Sequence, residues 1–269
     1  MKGALGMLAA ERRQLILDKL QEDKKVVVGE LSELFGVSEE TIRRDLDKFE
    51  KEGLITKGYG GAVLNEDEKS DMPFNVRKKK NMEGKRVIGE ILKDLISDGE
   101  HIIVDPSTTA VSIIKALRCK NHLTIITNSI EVLVELAGDS GWNVISTGGN
   151  LLGDYLALVG AKAVDNISSY NVDKAILSCK GIHMEAGITD ANELFSQVKK
   201  SMLKAAKQRI LAVDYTKFEN IAFSRICNLA EIDIVVTDVK PSERWLTYFR
   251  EKGITCLYGE EDESNCICE

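Results

Sequence analysis

No stretch of this chain stays apolar for the ~20 residues that a membrane-spanning helix needs. The start lacks a charged segment followed by a long apolar segment and a cleavage site, so no secretory signal is expected. The six cysteines (Cys119, Cys179, Cys227, Cys256, Cys266 and Cys268) show no C-x-x-C spacing, and His101, His122 and His183 are too dispersed for a ligand set. No metal or cofactor is expected, and the thiols read as ordinary reduced thiols of a cytoplasmic protein. Positive charge is not in excess either. The net charge is −7, and residues 1–65 carry 11 basic against 12 acidic side chains. Any contact with nucleic acid has to come from a local stripe, not from the overall field. What the chain does have is length and apolar content. Its 269 residues, 43% of them apolar, suffice for one large or two ordinary domains with proper cores.

The most patterned stretch is Val37–Leu46, Val-Ser-Glu-Glu-Thr-Ile-Arg-Arg-Asp-Leu. Ser38 reads as a helix N-cap, because its hydroxyl can accept an unpaired backbone N–H. Ile42, Leu46 and Phe49 follow at helical spacing and form a buried stripe. Thr41, Arg44, Lys48 and Lys51 form the opposite, basic stripe. Upstream, a first helix is expected from about Leu8 to Leu20, with Ile16, Leu17 and Leu20 inward. A short strand is expected at Val26–Val28, and a second helix at Glu30–Phe35, with Leu31, Leu34 and Phe35 on one face. Gly36 ends that helix as a residue free to take positive φ. Two helices joined by a tight glycine turn form a helix-turn-helix. Residues 54–64 then read as a β-hairpin turning at Gly60-Gly61, placed as a wing directly after the recognition helix. A three-helix protein–protein module would show similar charges, but the order of strand, helix, turn, helix and hairpin is more specific than charge alone. This first domain is placed at residues 7–64, with the stretch before Met7 as an extension.

Residues 65–76 read as a polar linker. A helix is expected over Arg77–Ile96, its Lys78-Lys79-Lys80 run a solvated start. From Gly99 onward, short apolar runs alternate with helical patterns. Strands are expected at His101–Val104, Leu123–Ile126, Asn143–Ser146, Ala175–Leu177, Ile210–Val213 and Ile232–Val236. Helices fall near 109–117, 130–137, 161–167, 193–206 and 242–251. This alternation predicts a doubly wound, mostly parallel α/β domain over residues 77–262, followed by a polar tail at 263–269 that carries Cys266 and Cys268. Ligands of such sheets bind beyond the carboxyl ends of the strands. The loops there are Asp105-Pro106-Ser107-Thr108-Thr109, Thr127-Asn128-Ser129 and Thr147-Gly148-Gly149. Helix capping and turn formation explain each loop singly. The three together favour a small polar ligand, phosphorylated, held by N–H and O–H donors. Glu193, Lys199, Asp214 and Lys217 follow later strands and supply countercharge or accept from sugar hydroxyls.

The run Ser38, Thr41-Ile42-Arg43-Arg44-Asp45-Leu46, followed by Gly60-Gly61-Ala62, resembles the winged helix of DeoR-family bacterial regulators, and the resemblance extends to about residue 238. It implies that the third helix enters the major groove of double-stranded operator DNA. It assigns DNA contacts to Ser38, Thr41, Arg43 and Arg44, with Lys57 and Tyr59 on the wing. Asp45 is expected to pair with a neighbouring arginine and orient it. The second domain is similar in this reading to ribose-5-phosphate isomerase and would sense a phosphorylated sugar through Asp105, Ser107, Thr108, Thr109, Asn128, Gly148, Gly149, Glu193, Lys199, Asp214 and Lys217. Ser107 stands where the family's D-x-G-T-T loop most often has glycine.

The function expected is that of a transcription regulator, a repressor of a sugar-metabolism operon, acting as a homodimer or homotetramer because paired half-sites are read by paired heads. The alternative is an active sugar-phosphate isomerase with an accessory DNA-binding head. No spacing singles out the general base such an enzyme needs, so no catalytic residue is assigned.

Overall fold

A computed structural model describes residues 8–51, 55–64, 74–138 and 141–259. The chain divides into two compact units between Pro73 and Phe74. The stretch before Met7, most of the expected linker and the Cys266/Cys268 tail lie outside the described residues.

In the first unit, α1 (Ala9–Asp23) buries Ile16, Leu17 and Leu20, as their spacing requires. It stops at Lys24, whose left-handed backbone (φ 63°) lets its N–H return to the carbonyl of Leu20. β1 (Lys25–Val27) turns Val26 inward. α2 (Val28–Phe35) starts earlier than its pattern suggested and buries Val28 and Leu31. Leu34, expected on that face, is 63% exposed. The helix is only eight residues long, and Val28 takes the inward position next to Leu31. Gly36 (φ 63°) closes it in a left-handed cap. α3 (Glu39–Lys51) buries Ile42, Asp45, Leu46 and Phe49. The wing consists of β2 (Ile55–Gly58) and β3 (Gly61–Leu64), and β3 lies between β1 and β2. Its tip is Tyr59-Gly60, one residue before the expected turn. Gly61 is already paired with Val27, and a Cβ there would lie 2.2 Å from the carbonyl oxygen of Val26. The second glycine therefore serves close strand approach, not the turn.

In the second unit, the single helix expected over 77–96 is two. α4 (Phe74–Lys79) and α5 (Met82–Leu95) are separated at Asn81, whose backbone is left-handed (φ 45°) and whose side chain caps α5. Phe74 and Val76 are buried, so the last residues of the expected linker belong to this unit. There follow β4 (His101–Val104), α6 (Thr108–Ala116), β5 (Thr124–Thr127), α7 (Ile130–Leu136), β6 (Asn143–Ser146), the hairpin β7 (Asn150–Leu152) and β8 (Ala157–Val159), and α8 (Ala161–Ser168). Then come β9 (Val172–Leu177), β10 (Gly181–His183), β11 (Gly187–Asp190), α9 (Glu193–Ala205), β12 (Ala206–Ala212), β13 (Ser224–Cys227), β14 (Ile234–Thr237), α10 (Glu243–Lys252) and β15 (Thr255–Tyr258).

Seven strands form one sheet in the order β15-β14-β12-β9-β4-β5-β6, and every pairing in it is parallel. Both faces are covered, as all-parallel sheets require. Ile103 enters one core while Ile102 and Val104 enter the other; Leu211 and Val213 likewise alternate with Ile210 and Ala212. The glycine-rich stretch around residues 181–190 reads as turns in sequence, but it forms β10 and β11, an antiparallel sheet completed by β13. A Cβ at Gly181 or Gly187 would lie 2.3 Å from a backbone oxygen, so these glycines permit that packing.

Candidate functional site

The outer face of α3 is built from local bonds. The Ser38 hydroxyl accepts from the Thr41 backbone N–H at 3.3 Å and lies 3.0 Å from the Thr41 hydroxyl, so it caps the helix as its position demands. Arg43 reaches Glu39 at 2.5 Å and Arg44 reaches Glu40 at 3.4 Å, both one turn back on the same helix. Lys57 of β2 is paired with Asp47 and Glu50 of α3, and Tyr59 projects fully into solvent from the wing tip. Asp45 departs from expectation. It falls three residues after Ile42 and so faces the core, where its carboxylate accepts from Arg12 Nε of α1 at 2.7 Å. Both groups are buried. Asp45 therefore fixes α3 against α1 and does not orient Arg43 or Arg44.

The second cluster sits at the strand ends of the parallel sheet. Chain order runs outward from β4 through β5 and β6 on one side, and from β9 through β12, β14 and β15 on the other. The topological switch point therefore lies between β4 and β9, the place where open α/β sheets bind ligands. Asp105, directly after β4, is fully buried there. Its Oδ2 accepts from the Ser178 backbone N–H at 2.9 Å and from Lys199 Nζ at 3.0 Å, and its Oδ1 accepts from the Ser107 N–H at 3.2 Å. Lys199 of α9 donates also to Asp190 at 2.5 Å and to the carbonyl of Ser178 at 2.7 Å. All three of its donors are thus committed. Burial works against its charge, but Asp190 and Asp105 outweigh burial and hold the ammonium above the ordinary lysine range. The neighbouring Cys179 thiol is pushed far up by burial and stays protonated.

Around this triad, Ser107 caps α6 by accepting from the Ala110 N–H at 3.0 Å. Its backbone (φ −80°) is one any residue adopts, so serine sits there without strain. Thr108 and Thr109 are buried in the first turn behind it. Asn128 is fully buried after β5 and donates to the Leu158 carbonyl at 2.8 Å. Among the described residues, its Oδ1 is the one buried side-chain nitrogen or oxygen without a hydrogen-bond partner. Gly148 (φ 62°) and Gly149 (φ 113°) turn β6 into β7, and a Cβ at Gly149 would lie 2.6 Å from the Val159 oxygen. Asp214 is buried after β12 and accepts from the Thr216 N–H at 3.1 Å, which closes the turn that carries the half-buried Lys217. Glu193 is not brought in. It is exposed on the first turn of α9 and accepts from Gln197.

Residues 12–68 match the family model of the DeoR-like helix-turn-helix domain, and residues 80–239 match that of the DeoR C terminal sensor domain. The chain belongs to the DeoR family. It is 39% identical over 232 residues to the uncharacterized HTH-type transcriptional regulator YulB of Bacillus subtilis, covering 86% of this chain and 90% of that one. With the HTH-type transcriptional repressor GlcR of the same organism it shares 35% identity over 96% of this chain and 99% of that one. Among solved structures, ribose 5-phosphate isomerase A from Methanocaldococcus jannaschii overlaps it with a TM-score of 0.37 at 15% identity, over 52% of this chain and 55% of that one. As a DeoR-family member, the protein is a DNA-binding transcription regulator, with a winged helix-turn-helix ahead of an α/β sensor domain. No helix among the described residues is long and apolar enough to cross a membrane.

Three residues of this DeoR sensor domain escape sequence reasoning. Asp190 and Ser178 meet Lys199 only because β9, β11 and α9 converge. Lys85 carried a readable signal. It lies on the inward stripe of α5 with Ile88, Gly89 and Leu92, where a lysine is out of place. Its Nζ donates to the carbonyl of Arg77 at 2.6 Å and to that of Lys80. Burial pushes its pKa down to about 8, Asp214 opposes that shift, and Lys217 and Arg77 add to it.

Proposed function

We propose that this regulator is a repressor of a sugar-metabolism operon whose hold on operator DNA is set by a phosphorylated sugar bound at the β4–β9 switch point. The observation that carries the reading is the buried, unpartnered Asn128 Oδ1 among the loops after β4, β5 and β6. A buried acceptor without a donor costs about 1–3 kcal/mol, which a sugar hydroxyl there would recover. The first turn of α6, with Ser107, Thr108 and Thr109, offers a helix N-terminus to a phosphate, and Lys217 brings countercharge. Asp105, Gly148, Gly149, Lys199 and Asp214 shape these loops; Glu193, exposed and apart, is the weakest of the expected contacts.

The same geometry favours a sensor over an isomerase. Lys199 has no donor left, both aspartates of the triad are bonded to it, and the nearby thiol is protonated. A general base must reach the substrate's proton, and both carboxylates are buried and turned toward the ammonium.

On the DNA side, Arg43 and Arg44 exchange Glu39 and Glu40 for base edges or phosphates, as Lys57 exchanges Asp47 and Glu50. Ser38, Thr41 and Tyr59 complete the contact surface. A homodimer or homotetramer presents two heads to paired half-sites. The ligand acts by linkage: a sugar phosphate that prefers one arrangement of the heads alters operator affinity, and DNA alters sugar-phosphate affinity by the same factor.

The test is anisotropy of labelled promoter DNA titrated with the full-length protein, repeated with glucose 6-phosphate, fructose 6-phosphate, fructose 1-phosphate and ribose 5-phosphate. The expected result is sequence-specific binding at moderate salt whose midpoint moves with one of these. Binding that none of them shifts refutes the sugar-phosphate reading, and turnover of any of them revives the isomerase.

A further inference from the structure

Between the candidate sugar-phosphate site and the first helix of the sensor domain runs a short chain of side-chain bonds. It begins at the turn 215–217, which Asp214 closes and which carries Lys217. The backbone N–H of Tyr215 in that turn donates to Asp238 Oδ1 at 2.8 Å. Asp238, directly after β14, accepts on its other oxygen from Asn81 Nδ2, also at 2.8 Å. Asn81 is the left-handed residue between α4 and α5, and its own side-chain oxygen accepts from the Gly84 N–H at 3.3 Å. The approach is tight. A Cβ at Gly84 would lie 2.2 Å from Asp238 Oδ2, so a larger residue there would push the carboxylate from this position. From the same turn of α5, Lys85 holds the carbonyls of Arg77 and Lys80 at the end of α4. α4 is the first described element after the DNA-binding unit along the chain.

We propose that Asn81 and Asp238 are positioning residues that carry the state of the 215–217 turn to the α4–α5 junction, and so transmit sugar-phosphate occupancy toward the DNA-binding unit. This rests on the reading of the switch point as the effector site. The bonds suit the task. Asp238 grips two segments 134 positions apart in sequence, Asn81 and Tyr215, through its two oxygens, so a shift of the turn is passed on through one rigid carboxylate. Asn81 occupies a backbone conformation that is accessible to asparagine but uncommon for other residues with a side chain, and a small torsional change there redirects α4. Neither residue is among the expected ligand contacts.

The decisive variants are Asn81→Gly, Asp238→Asn, and the exchange Asn81→Asp with Asp238→Asn. Glycine tolerates the left-handed backbone and deletes only the side-chain bonds. Asp238→Asn keeps the acceptor for Tyr215 but sets an amide N–H₂ against that of Asn81. The exchange restores the pair with donor and acceptor reversed and keeps an acceptor for Gly84. Each full-length variant is assayed for two quantities with the four sugar phosphates named above: the rise in melting temperature without DNA, and the ratio of operator midpoints with and without the sugar phosphate. The expected result is that both single changes keep the melting-temperature rise and keep apo operator affinity within threefold, while the midpoint ratio collapses to within twofold of one. The exchange recovers the ratio. If the singles retain the parent's ratio, or if the exchange stays uncoupled, the relay is overturned while the effector site stands. If the parent itself shows no rise and no change in midpoint, the effector reading fails and the relay with it.

Discussion

The outer face of α3 and the core of the switch point both consist of basic and acidic side chains at salt-bridge distance, yet they are opposite kinds of structure. Arg43–Glu39 and Arg44–Glu40 lie in solvent, one helical turn apart. Such pairs are worth roughly 0.2–1 kcal/mol each and weaken with salt. The Asp105–Lys199–Asp190 triad lies under the sheet loops with almost no exposure. Its members have lost their hydration, and only mutual bonding offsets that loss. The first arrangement is cheap to exchange for phosphate and base contacts. The second is a fixed scaffold that holds the loops after β4, β9 and β11 together.

The comparison breaks most sharply at Lys199. Lys199→Ala leaves two buried carboxylates facing each other and should cost about 3–5 kcal/mol of stability, read by urea denaturation. A loss below about 1 kcal/mol would mean that water reaches the triad.

Lys85 sharpens the comparison because it is a buried cation bonded to carbonyls and, among the described residues, to no carboxylate. Its folded pKa is about 8 against an ordinary 10.5. Below both values the ammonium is charged in either state, and its burial works against folding. Between them the unfolded chain holds the extra proton, so stability rises with pH through that window. Lys85→Met should abolish this rise between about pH 8 and 10.5, measured as the difference from the parent in paired urea melts. Equal slopes would place the charge in solvent.

Arg44→Ala tests the exposed side. It should weaken operator binding by about 1–3 kcal/mol if the guanidinium reads a base, with a stability change within about 0.5 kcal/mol. A large fall in melting temperature would mean that the Glu40 pair is structural after all. The smallest effect is expected at Lys57→Ala, which should lower the slope of log affinity against log salt by about 1 without changing sequence preference. An unchanged slope would leave Lys57 bonded to Asp47 and Glu50 on the complex as well.

Much of the fold was legible in the residues, for reasons that operate over a few positions. The stripes of α1 and α3, the Ser38 cap, the Gly36 stop and the strand at Asn143–Ser146 follow from backbone periodicity and from which side chains reach a nearby N–H. The failures were equally physical. The 77–96 helix pattern continued across Asn81, where the chain bends left-handed at an asparagine that caps α5 and is bonded to Asp238, 157 positions away. The glycines of β10 and β11 looked like turn formers and instead make room for neighbouring backbone. Asp45 looked like an arginine's local partner and belongs to Arg12, 33 positions upstream.

By itself, then, the sequence determined the local elements, the order of head and sensor domain, and the membership in the DeoR family, since each depends on spacings that survive in one dimension. Tertiary structure alone decided which charges are spent and which are exchangeable. Asp105 and Ser178 are 73 positions apart, and they meet because the sheet order sets β9 beside β4. Whether Lys199 is a contact or a keystone depends on how many acceptors surround its three donors and on how much water is left there, and neither quantity is encoded at any one position.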